Sequence, residues 1–108
     1  MANTETLNTS RAVGTIDSTG AIGTITVKGS KLLDISVDFD TNSFVGTILL
    51  ERETNTGAAN IGEFQAVESY TGSTEKVAQS ATTRRYRLNC TVATSGTAEY
   101  ELSAGNFS

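Results

Sequence analysis

The segment KLLDISVDFD, residues 31–40, alternates over eight consecutive positions. Leu33, Ile35, Val37 and Phe39 fall on one side, and Asp34, Ser36, Asp38 and Asp40 on the other. An extended strand projects successive side chains to opposite faces, so this period of two sets an apolar row against a core and an acidic row in solvent. A helix would wind both sets around one cylinder and leave no apolar face. The same alternation recurs in RRYRLNCTVA, with Tyr86, Leu88, Cys90 and Val92 expected inward and Arg85, Arg87, Asn89 and Thr91 outward. It recurs again in GTAEYELS, with Ala98, Tyr100 and Leu102 inward and Glu99 and Glu101 outward.

Between these segments lie shorter strand-like runs punctuated by turn residues. RAVGTID and AIGTITVKG flank Ser18-Thr19-Gly20, a connection of the kind that closes a hairpin. FVGTILLER is apolar on both parities, as expected of an interior strand covered on both sides. EFQAVESY and TEKVAQS follow, separated by Thr71-Gly72-Ser73. A second hairpin through Thr94-Ser95-Gly96 is expected to bring Glu99 and Glu101 beside Arg85 and Arg87. The chain carries 18 Thr, 11 Ser, 10 Gly and 7 Asn, a composition that disfavours long helices and suits strands joined by tight turns.

These runs predict an all-β fold: an antiparallel β-sandwich of about eight strands, of which the jelly roll is one form. With 108 residues the chain is one domain, expected over residues 11–108. Residues 1–10 are expected to form a flexible N-terminal arm whose one sizeable apolar side chain is Leu7. Such an arm either frays or orders against a neighbouring subunit.

Several chemistries are disfavoured. With no His and one Cys, the chain lacks the usual general base near neutral pH, an internal disulfide and a Cys-rich zinc site. Cys90, between Leu88 and Val92, reads as core. Asp38-Phe39-Asp40-Thr41-Asn42 opens like a calcium loop, but the sixth position is Ser43 in place of Gly and the twelfth is Leu49 in place of Glu. Glu51/Glu53 and Glu99/Glu101 are each spaced i, i+2 on a solvated strand face, which offers no pocket to raise one carboxyl pKa. The expectation is a protein that is not an enzyme and carries no metal or cofactor. A net charge of -4 argues against nucleic-acid binding, and no apolar run is long enough to span a membrane. The opening residues lack the pattern of a signal peptide, so synthesis as a soluble cytoplasmic chain is expected and the Asn-x-Ser/Thr sequons are discounted.

What remains are candidate contacts with a partner protein. Arg84, Arg85 and Arg87 form the basic cluster, and Arg85 and Arg87 project from the solvent face of their strand. The aperiodic stretch ETNTGAANIG reads as a long surface loop, with Asn55 and Asn60 as candidate contacts. Leu7 is the candidate on the arm.

FVGTILLER, ESYTGSTEKV and RRYRLNCTVATSGTAEYELS together resemble a β-sandwich module of small virion structural proteins of tailed bacteriophages. The resemblance rests on Gly46, Thr47, Leu50 and Arg52; on Glu68, Ser69, Tyr70 and Thr71; on Tyr86, Arg87 and Leu88; and on Ser95, Gly96 and Thr97. It covers roughly Asp34 to Ser103, about two thirds of the chain. That module often carries an Asp-Gly-Gly turn and a Trp after the Arg; here ETNTGAANIGEF takes their place, with Phe64 in the aromatic role. The resemblance implies a virion component, foremost a head decoration or cement protein bound to the major capsid protein or another virion protein, and a homo-oligomer with a trimer favoured. A tail, adaptor or fibre-associated domain is the nearer alternative. A small carbohydrate-binding module is the farther one, and the absence of Trp weighs against it.

Overall fold

The computed structural model describes residues 3–8, 10–29, 31–54, 63–80 and 83–105. Among them are nine strands and no helix: β1 (Thr4–Asn8), β2 (Arg11–Ile16), β3 (Gly20–Val27), β4 (Lys31–Asp38), β5 (Val45–Glu53), β6 (Phe64–Tyr70), β7 (Thr74–Ser80), β8 (Arg84–Ser95) and β9 (Ala98–Gly105). They form two antiparallel sheets packed together, a five-stranded one in the order β1-β2-β9-β4-β7 and a four-stranded one in the order β3-β8-β5-β6. The eight strands read from sequence are β2 to β9.

Strand periodicity builds the core. Leu33, Ile35 and Val37 of β4 and Ala98, Tyr100 and Leu102 of β9 face Ile25 and Val27 of β3, Ile48 and Leu50 of β5, and Tyr86, Leu88 and Cys90 of β8, all buried. Phe39 and Phe44 meet edge to face with centroids 5.1 Å apart, plugging one end of the core. The inward expectation fails at Val92, which is 48% exposed. The β5–β8 register shifts between Thr47 and Ile48, and this irregularity breaks the strict alternation that placed Val92 with Cys90.

Both expected hairpins are instead corners between sheets. β2 pairs with β9 while β3 pairs with β8, so Ser18-Thr19-Gly20 carries the chain from one sheet to the other. Asn3 serves that corner: its Oδ1 accepts the N–H groups of Asp17 and Ser18, and its Nδ2 donates to the Ser18 carbonyl at 3.0 Å. Likewise β8 ends in the four-stranded sheet and β9 begins in the five-stranded one. Gly96 (φ 77°) lies so close to the Ser43 carbonyl that a Cβ would come within 2.2 Å of it, and the Thr97 N–H donates to Asn42 of the β4–β5 connection. Glu99 and Glu101 therefore do not face Arg85 and Arg87.

The segment expected as a flexible arm carries β1. Its five residues pair with β2 from Thr4↔Thr15 to Asn8↔Arg11, and a Cβ on Gly14 would lie 1.9 Å from the Thr4 carbonyl, so the missing side chain makes room for the strand. Tyr100 donates its hydroxyl to the same carbonyl. The Glu5 carboxylate crosses to the other sheet and accepts the Gly23 N–H at 2.9 Å. On the opposite flank Lys76 of β7 is ion-paired to Glu68 of β6. A charged side chain thus links the two sheets along each open flank.

Candidate functional site

The two predicted arginines stand together on the outer face of the four-stranded sheet. β8 pairs there with β5 in a register that sets Arg87 opposite Glu51. The Arg87 Nε donates to Glu51 Oε1 at 2.7 Å and the Asn89 Nδ2 to Glu51 Oε2 at 2.9 Å. Both carboxylate oxygens are therefore bonded, which is how a glutamate only 7% exposed is accommodated. One step along, the Nε and Nη2 of Arg85 donate to Glu53 Oε2 at 3.0 and 2.5 Å, while Arg84 donates to the Glu53 carbonyl at 3.1 Å. The hydrogen bonds from Arg85 hold the Glu53 carboxyl below its usual range, and Glu53 in turn raises the Arg85 guanidinium.

Phe64 completes the cluster. It sits opposite Glu53 on β6, and its ring lies 4.0 Å from the Arg87 guanidinium carbon and 5.4 Å from that of Arg85. Cation–π attraction and the two ion pairs fix the arginine planes, so this patch presents ordered side chains to whatever approaches it.

Asn55 and Asn60 lie outside the described residues. Next to Phe64, the Thr54 N–H donates to the Glu63 carbonyl at 2.6 Å. Leu7 is on β1 in the other sheet, 45% exposed, and is not brought together with the arginines. The acids beside Arg85 and Arg87 are thus Glu53 and Glu51, in place of the expected Glu99 and Glu101. The register that selects Glu51 and Glu53 depends on which strand lies beside β8, and no local pattern encodes that.

The outer face of the five-stranded sheet has a different character. A shallow groove of about 660 Å3 is lined by side chains including Ser36, Asp38, Glu75, Glu99 and Glu101. Glu101 pairs with Arg11 at 2.8 Å, Glu99 accepts the Asn42 amide, and Ser36 is bonded to Glu75. Asp38 accepts the hydroxyl and N–H of Thr41 and the N–H of Asp40, and these bonds, the Thr41 hydroxyl foremost, lower its carboxyl pKa. The residues that spell the start of a calcium loop thus cap a turn. Among the described residues no group of three or more His, Cys, Asp or Glu side chains is placed to hold a metal ion.

Chemically, the molecule offers an arginine–aromatic patch on one face and a negatively charged groove on the other. No family model, curated protein or solved structure matches the chain.

Proposed function

We propose that this protein is a non-enzymatic structural component of a bacteriophage particle, a decoration or cement protein that binds the outer surface of the head through the major capsid protein and stabilises it. The strand order is the observation that carries this reading. From β2 onward the chain changes sheet at every connection except β5–β6, giving the orders 2-9-4-7 and 3-8-5-6. Such a succession supports reading the two sheets as a jelly-roll sandwich, an architecture of viral capsid and lectin domains.

The surface supports the same reading. Arg85, Arg87 and Phe64 are ordered by their own contacts before any partner arrives, so docking them costs little side-chain entropy. Arg and aromatic side chains are also those that dominate interface energetics. The acidic groove on the opposite face disfavours a phosphate backbone and leaves that side to solvent or to a basic neighbour.

Sedimentation of purified heads lacking the protein, mixed with wild type or with Phe64→Ala, tests the proposal. Wild type should pellet with the heads and Phe64→Ala should saturate them at higher concentration. Binding to tails in place of heads would move the protein to the tail or adaptor class, and binding to neither would overturn the assignment.

A further inference from the structure

Among the described residues each of the four sheet edges leaves a row of backbone groups open to pairing, and proteins blunt such edges with bulges, charges or brevity. The edge of β3 is broken by a register shift between Ile22 and Ile25, and that of β6 by a shift opposite Leu50 and Glu51. The edge of β1 is five residues long. β7 differs from all three. Its seven residues pair with β4 in unbroken register from Lys31↔Ser80 to Val37↔Thr74, and at its centre stands Val77, 62% exposed. The one cation of β7, Lys76, is drawn across to Glu68 on the other sheet. Exposed Val67 of β6 lies on the same flank, lining with Lys76 and Ala78 a cleft of about 200 Å3.

We infer that β7 is a self-association edge, whose occupant is the β7 strand of a second copy of this chain, antiparallel across a twofold axis at Val77. The register follows from elementary constraints. Opposed residues must share a sheet face, which excludes one-residue slips. A twofold at Lys76 would set two lysines directly opposite, a destabilising arrangement. A twofold at Ala78 would leave two residues of each strand unpaired. The twofold at Val77 pairs all seven residues: Val77 meets Val77, Glu75 meets Gln79, whose amide can donate to the carboxylate, and Lys76 meets Ala78. The two five-stranded sheets then become one ten-stranded sheet, and the exposed Val67 side chains lie along the seam. A pair of identical antiparallel strands closes as a dimer, in place of the trimer that the phage resemblance implies. The inference goes beyond the particle assignment and holds for a free protein as well.

Light scattering of the full chain during size exclusion, together with cysteine trapping, tests it. Wild type should be dimeric at about 100 μM, and Val77→Lys, an exposed change that leaves the core alone, should weaken association at least about tenfold. Residues opposite one another across an antiparallel pair have Cα atoms about 4.5–5.5 Å apart, within disulfide reach, so Val77→Cys should cross-link under mild oxidation. Two copies of Glu75→Cys would stand about 13 Å apart along the seam and should not. Native Cys90 is buried and contributes no background. A monomeric wild type, a dimer indifferent to Val77→Lys, or equal cross-linking of the two cysteine variants would overturn the inference.

Discussion

Arg87 and Glu51 face each other across β8 and β5 with Nε and Oε1 2.7 Å apart, and the Glu51 side chain is 9% exposed against 28% for Arg87. The pair occupies the middle of the arginine–aromatic patch, where the acid is nearly covered and the guanidinium side chain is partly exposed. A surface pair such as Arg11–Glu101, with side chains 56% and 41% exposed, sits in a different dielectric regime.

Arg87→Ala should therefore destabilise the protein by about 2 kcal/mol, because it strands a nearly buried carboxylate with only the Asn89 amide as partner and strips the face of Phe64. Arg11→Ala should change stability by less than about 1 kcal/mol, since exposed pairs contribute little. Urea unfolding of the two variants beside wild type checks the contrast.

Stability should fall as the solution is acidified below the ordinary glutamate pKa of 4.5. The Glu68 carboxyl is lowered by its bond to Lys76 and then by the Tyr70 hydroxyl, and Glu53 is lowered by Arg85. A group with a depressed folded-state pKa contributes stability that is full above its unfolded value and lost as pH drops through the folded one. Thermal melts at intervals from neutral pH down to about pH 3 should show this decline, and Glu68→Gln should flatten part of it. An unchanged slope in that variant would remove Glu68 from the explanation.

Gly14→Val should detach β1 and leave the rest of the fold standing. Its Cβ would have to occupy space 1.9 Å from the Thr4 carbonyl, whereas the core strands make no use of that position. Hydrogen exchange should accelerate across Thr4–Asn8 while amides near Leu88 and Leu102 keep their protection.

Cys90 should act as a reporter of unfolding. Burial raises its thiol pKa, and its Sγ donates to the Val92 carbonyl at 3.3 Å. A thiol-labelling reagent near pH 8 should react slowly with the native protein and rapidly in denaturant, a contrast that partial exposure of Cys90 would erase.

Much of this was legible in the sequence. Turn residues and apolar runs located β2 to β9, and alternation located the buried faces of Leu33 to Phe39, Tyr86 to Cys90 and Ala98 to Leu102, because a half-buried strand writes its period directly into residue order. Connectivity was less accessible. Ser18-Thr19-Gly20 and Thr94-Ser95-Gly96 have the composition of hairpin turns, yet a corner between sheets needs the same residues. What distinguishes them are remote partners, Asn3 for one and Asn42 with Ser43 for the other. β1 escaped for a related reason: Thr4 to Asn8 buries almost nothing, and its place is held by backbone pairing, by Glu5 on Gly23 and by the absence of a side chain at Gly14. The arginine–aromatic cluster was half visible, since Arg85 and Arg87 stand out in the sequence while their ring, Phe64, lies across a strand pairing that no local pattern encodes.

The proposed location on a phage head is open to electron cryo-microscopy of the particles made by the phage that encodes the chain. Density for a two-sheet domain of nine strands should stand at regular positions on the outside of the head, with the Phe64 and Arg87 face against the capsid shell. Density confined to the tail would rule out the head location, and its absence from the whole particle would rule out a structural role there.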